Sequence, residues 1–146
     1  MATYTILQHP DPRLKRKGVP VEDFGDDFQT VIDNMLETHY SQSNCAALAA
    51  TQLSIPNAPH VTVIDYSPTK DQPLCLVNAN IVEEKGETFE EEACMSVKGI
   101  SELVRRAAWI RVESVDRHGK EQHFEADGFL AKCIQHELDH LKGIVF

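Results

Sequence analysis

The 146-residue chain predicts an α+β fold. One helix comes early, another comes last, and strand-like runs fill the space between them. These pieces interleave without a linker, so a single domain over residues 1–146 is expected, long enough to bury a real core. No internal repeat or low-complexity segment interrupts it.

Taken in order, His9-Pro10-Asp11-Pro12 is turn-like. Asp26 to Tyr40 reads as an amphipathic helix, because Phe28, Val31, Ile32, Met35 and Leu36 share one face. Ser41 to Asn44 breaks it. The small-residue run Cys45-Ala46-Ala47-Leu48-Ala49-Ala50 has no decisive period. Pro56 and Pro59 mark a loop. His60 to Tyr66 and Leu74 to Glu83 read as strands. An acidic segment before Cys94 can alternate as another. Trp109 to Asp116 and Glu121 to Ala126 form a hairpin closed around His118-Gly119. Asp127 suits the N-cap of a final helix that runs to about Leu141, with Gly143 near its C-cap.

The net charge of -9 argues against a broad nucleic-acid or anionic-membrane surface. No apolar run reaches membrane-spanning length, and Met1 to His9 lacks the pattern of a signal peptide. A cytoplasmic protein with no nucleic-acid or membrane partner is the expectation. Cys45, Cys75, Cys94 and Cys133 form neither a C-x-x-C pair nor a dense disulfide framework, so they read as free thiols, core fillers or metal ligands.

His136-Glu137-Leu138-Asp139-His140 spells H-E-x-x-H on the final helix. Residues four apart share a helical face, so His136 and His140 can grip one metal ion, with Glu137 beside them to handle a proton. A catalytic site of this kind usually needs a third protein ligand and one open position. One metalloprotease class extends the motif to a third His, but Phe146 stands at that position. Cys133 shares the helical face, yet it lies seven residues from His140, roughly 10 Å along the axis. Three ligands so spread cannot converge on one ion, and Cys133 reads as core. His9, His39, His60, His118 and His123 sit in turns or at element ends and read as surface residues. Cys94, in Glu92-Ala93-Cys94-Met95-Ser96, is the strongest remaining candidate.

Gln135-His136-Glu137-Leu138-Asp139-His140-Leu141, Glu92-Ala93-Cys94-Met95-Ser96 and Leu48-Ala49-Ala50-Thr51-Gln52 together resemble the peptide deformylase family in order and spacing. The similarity runs from His9-Pro10-Asp11-Pro12-Arg13-Leu14 to Phe146, and Glu125-Ala126-Asp127-Gly128 fits as well. The resemblance implies mixed or antiparallel strands packed around the H-E-x-x-H helix. It implies an enzyme that removes the formyl group from the N-terminal methionine of newly made polypeptides. Cys94, His136 and His140 then hold one divalent metal, iron(II) as the native ion, with zinc or nickel able to replace it. Glu137 serves as general base and acid, while the Gln52 amide and the Met95 backbone N–H meet the developing oxyanion. Cys45, Ala46, Ala47, Leu48, Glu90, Ala93, Phe129 and Lys132 are expected to bind the extended formyl peptide of a nascent chain. Glu92 is expected to have a structural role with Arg106 as its partner.

The chain departs from the family pattern in three places. Cys45, Ala47 and Ala93 replace glycines of the first two motifs, which suggests a tighter groove. Glu90 and Lys132 stand where members are usually apolar, and an opposite-charge pair there would alter the first side chain accepted. Many members continue past the last motif with a helix that contacts the ribosome, so docking to the ribosome stays open. Two rival readings follow: a related hydrolase with altered N-acyl or first-residue specificity, and a non-catalytic metal-bound module that captures peptides. An intact Glu137 speaks against the second, since binding alone needs no general base.

Overall fold

The computed structural model describes residues 3–42, 45–69 and 73–144, and the backbone alone over 97–102. The sequence expectations at Asn44 and Phe146 lie outside the described residues. A short 3-10 turn, Pro12–Lys15, precedes helix α1, Asp26–Tyr40. Strand β1, Ala47–Ala49, runs into a second 3-10 turn, Ala50–Gln52. Then come β2 (Val61–Ile64), β3 (Leu74–Lys85), β4 (Thr88–Cys94), β5 (Val97–Arg106), β6 (Trp109–Val115), β7 (Glu121–Asp127) and helix α2 (Gly128–Leu141). The expected α+β class is what the chain adopts.

Five strands form one antiparallel sheet in the order β1-β2-β3-β6-β7, and β4 pairs with β5 in a separate hairpin. Side chains of a strand alternate between faces. In β2 all four residues are nevertheless buried, because each face of the sheet carries a helix. Ile64 joins Leu76, Ile110, Val112 and Ala126 against Ala131, Ile134, Leu138 and Leu141 of α2. Val61 and Val63 pack with Leu48, Leu53 and Val77 against Phe28, Ile32 and Met35 of α1. Each fully buried Ile, Leu, Val or Met stabilises the fold by about 1.5–3 kcal/mol before the cost of ordering the chain is counted. The conclusion for function is positional: α2, the motif-bearing helix, is fixed along its apolar face.

Three expectations need correction, the first at His60, which is half-buried and not a surface residue. The segment Val97–Arg106 is a full strand, although no element was expected there. His39 is not a surface residue: it is buried at the end of α1, with Nε2 3.0 Å from the Ala46 carbonyl oxygen. That contact ties the helix to the chain entering β1. Among the described residues no helix is long and apolar enough to cross a membrane.

Candidate metal centre

Helix α2 presents His136 and His140 one turn apart, and both are buried. Cys94 ends β4 at the tip of the β4–β5 hairpin, where it pairs with Val97 across the turn Met95-Ser96. The N-terminal segment clamps this turn. His9 N–H donates to the Ser96 carbonyl at 2.7 Å, and Gln8 Nε2 donates to the Met95 carbonyl at 2.8 Å. The hairpin tip thereby meets the helix. Cys94 Sγ lies 3.3 Å from His140 Nε2, which lies 3.0 Å from His136 Nε2. All three ligand atoms fall within 4.8 Å of one another. The thiol from β4 completes the set that the helix alone cannot.

The orientation of His136 is fixed from behind. Its Nδ1 lies 2.8 Å from Glu92 Oε1, so Nδ1–H donates to the carboxylate and Nε2 turns to Cys94 and His140. A carboxylate on the outer ring nitrogen is the usual support for a metal-ligating histidine. Arg106 holds Glu92 with two bonds, Nε to Oε2 at 3.0 Å and Nη2 to Oε1 at 2.9 Å, and its Nη1 reaches Asp139 at 2.5 Å. Burial opposes the charge on Glu92, but the bonds from His136 and Arg106 win and hold its carboxyl down at about 2. The expected pairing of Glu92 with Arg106 is present in the geometry.

The donor set fits a divalent metal. Two imidazole nitrogens 3.0 Å apart beside a sulfur place three lone pairs on one point, which demands a positive charge between them. Burial disfavours a proton on His136, yet bonding to Cys94 and Glu92 outweighs it and raises its pKa to about 10. Burial and the neighbouring His136 charge push His140 down to about 3. Cys133, by contrast, has its thiol pushed up to about 12, by burial first and then by the Glu137 charge. It is a buried thiol packed with the α2 core, as expected.

Glu137 is buried, with Oε2 making no hydrogen bond among the described residues and Oε1 4.0 Å from His136 Nε2. Burial, the largest influence, raises its carboxyl to about 7, against the opposing pull of His136 and Arg106. Gln52 sits in the 3-10 turn after β1. Its Oε1 accepts from Ala49 N–H at 2.9 Å, which fixes the amide so that Nε2 points at Cys94 Sγ, 3.4 Å away, and Ser96 Oγ, 3.2 Å away. Thr51 Oγ1 donates to the His140 carbonyl at 2.9 Å and locks this turn to α2.

Gln52, Cys94, Met95, His136 and Glu137 all line one cavity of about 430 Å³. Ala46, Ala47, Ala93, Phe129 and Lys132, expected to bind substrate, line it too. Three others do not. Leu48 is fully buried in the core against α1, because alternation in β1 turns it away from the cavity. Cys45 packs toward the same core, with Sγ 3.6 Å from the Ala47 carbonyl oxygen. Glu90 lies outside the lining, its side chain 58% exposed, yet it does form the expected pair with Lys132, Nζ to Oε2 at 3.2 Å. Glu91, Glu92 and Cys133, none of them expected at the cavity, complete the lining. Period-two alternation along β4 could have named Glu91 beside Ala93.

The family model for polypeptide deformylase matches residues 3–146. The chain belongs to the polypeptide deformylase family. A relative from Coxiella burnetii, peptide deformylase 1, is 64% identical over 144 residues, covering 98% of this chain and 85% of its own. The crystal structure of a peptide deformylase from Legionella pneumophila superimposes with a TM-score of 0.93 at 39% identity, over 99% of this chain and 84% of that one. The class I type b peptide deformylase of Acinetobacter baumannii, in a structure with Met-Ala-Ser bound, gives a TM-score of 0.89 at 26% identity, over 99% and 96%. This deformylase is therefore a metal-dependent hydrolase, and Cys94, His136 and His140 form a group that could hold an ion.

Proposed function

We propose that this deformylase removes the formyl group from the N-terminal methionine of nascent chains in the cytoplasm, using Cys94, His136 and His140 as metal ligands and Glu137 as the proton carrier. The observation that carries the assignment is the convergence of three ligand atoms beside a buried carboxylate with one unbonded oxygen. A divalent metal bound there supplies Lewis acidity and brings the pKa of a water toward neutrality. Iron(II) is the proposed native ion, with zinc and nickel as substitutes, since a mixed thiolate and imidazole set suits all three.

The residues divide the remaining work. Glu137 takes a proton from the attacking water, whose oxygen bonds to the formyl carbon. Charge develops on the formyl oxygen, where Gln52 Nε2 and the Met95 N–H donate. The carbon–nitrogen bond then breaks, Glu137 gives its proton to the leaving nitrogen, and formate and a free amine depart. Glu92 holds His136 in the ligating orientation. Ala46, Ala47 and Ala93 let the peptide backbone approach the cavity wall, and Met-Ala-Ser on the Acinetobacter baumannii enzyme suits a substrate of that shape.

The test is formate release from formyl-Met-Ala-Ser by iron- or nickel-loaded protein, with Glu137→Ala alongside. Turnover is expected in the native chain, and a loss of roughly 10²–10⁴-fold in the variant with its metal content unchanged. Fully metallated protein that releases no formate would overturn the reading. So would a variant that matches the native rate.

A further inference from the structure

The cavity wall is small or apolar at Ala46, Ala47, Met95, Phe129 and Cys133, yet one cation, Lys132, stands among them. Its side chain is only 21% exposed. Its Nζ donates to Glu90 Oε2 at 3.2 Å and to the Glu91 carbonyl at 3.1 Å, and lies 6.0 Å from the centre of the Phe129 ring. An ammonium carries three N–H donors. Among the described residues two have acceptors, which leaves the third for whatever fills the cavity. The four-carbon stem is apolar and continues the wall made by Phe129, so a thioether still packs there.

Resting on the deformylase reading above, we infer that Lys132 determines specificity: the cavity accepts a neutral, unbranched first side chain whose tip accepts a hydrogen bond. Methionine sulfoxide and glutamine fit this description, alongside methionine itself. The sulfoxide oxygen is a far better acceptor than the thioether sulfur it replaces. A charged tip fits less well. Glu91, Glu92 and Glu137 already line the cavity, and only Glu92 is matched by a buried arginine. An anionic tip would also have to displace Glu90 from Lys132. A neutral acceptor takes the third N–H and leaves the Glu90 pair in place.

The experiment measures kcat/KM for formyl-X-Ala-Ser, where X is methionine, norleucine, methionine sulfoxide, glutamine or glutamate. It uses native protein, Lys132→Met and Glu90→Gln. Competitive binding of the unformylated sulfoxide and norleucine tripeptides supplies a second readout that needs no turnover. The sulfoxide-to-norleucine ratio is expected to fall about tenfold in Lys132→Met, in both readouts, as a hydrogen bond to a charged donor is lost. Glu90→Gln, which removes the competing carboxylate, is expected to raise the glutamate-to-glutamine ratio several-fold. An unchanged sulfoxide-to-norleucine ratio in Lys132→Met overturns the inference, and so does an unchanged glutamate-to-glutamine ratio in Glu90→Gln. Failure of the deformylase reading itself would look different: no formate from formyl-Met-Ala-Ser, while the peptide-binding ratio still decides the role of Lys132.

Discussion

Glu92 and Arg106 are buried together, and each is costly to bury alone. Their bidentate pair offsets that cost, and Oε1, which accepts from Arg106 Nη2, also orients His136. Glu92→Gln keeps the shape, removes the charge and leaves Arg106 with Asp139 only. Metal affinity is expected to fall about 10–100-fold, as it does when the support of a ligating histidine is removed. Competition with a chelator of known affinity measures it, and an unaltered affinity would show that Glu92 does not support the ligand. A second residue-scale effect concerns His60, whose pKa burial lowers from 6.5. The unfolded chain then takes up the proton first, so stability falls as pH drops below 6.5 toward the lowered folded value. His60→Gln is expected to lessen the stability difference between pH 7.5 and about pH 5 in denaturant titrations. Equal slopes in both proteins would place the acid sensitivity elsewhere.

Helix α2 ends in a double bond pattern that only glycine completes easily. Gly143 N–H donates to the His140 carbonyl and Ile144 N–H to the Asp139 carbonyl, both at 2.9 Å, with Gly143 at φ +87°. A Cβ at that position would press on the Lys15 backbone. Gly143→Ala is expected to cost roughly 2–3 kcal/mol, read as a lower midpoint in denaturant, with metal affinity falling too because His140 lies one turn from the cap. Helix α2 was legible from its H-E-x-x-H spacing and glycine stop, and α1 from its apolar face. Strand β5 was not, because the β4–β5 hairpin inverts the usual burial rule. Phe89 is 55% and Leu103 65% exposed, whereas Glu92 and Arg106 are buried. Such a strand carries no apolar alternation to read. His39 escaped for a related reason: its partner, the Ala46 carbonyl, is set by how α1 meets β1. The clustering of Cys94, His136 and His140 was legible because ligand chemistry constrains residue type more tightly than packing does. The cavity lining was less so, since which face of β1 carries Leu48 depends on the sheet it joins.

At the scale of the whole molecule, the proposed metal ligands join helix α2 to the β4–β5 hairpin. The five-stranded sheet is gripped between α1 and α2, whereas β4 and β5 form a hairpin outside it. A two-stranded ribbon is marginal by itself in water. Several ties hold it: the Gln8 and His9 bonds to the turn, the Gln52 bonds to Cys94 and Ser96, the Lys132 bonds to Glu90 and Glu91, the Arg106 network through Glu92, His136 and Asp139, and, last, the convergence of Cys94 on the two histidines. A bound ion strengthens the last tie. Binding only the folded state, it stabilises by about 4 kcal/mol when free metal exceeds its dissociation constant a thousandfold. Removing the metal is therefore expected to lower the melting temperature and to act unevenly. Amide exchange should rise most in Glu90 to Cys94 and least in β2 and in Leu76 and Val77 of β3, where both faces are packed. Cys94→Ser weakens the link between hairpin and helix, so its exchange pattern should resemble that of metal-free native protein and respond little to added metal. Hydrogen exchange followed by mass spectrometry, with and without chelator, compares the four states directly. If chelation speeds exchange equally in the hairpin and the central sheet, the ion does not act as the clasp between them, and the hairpin owes its order to the Arg106 network instead.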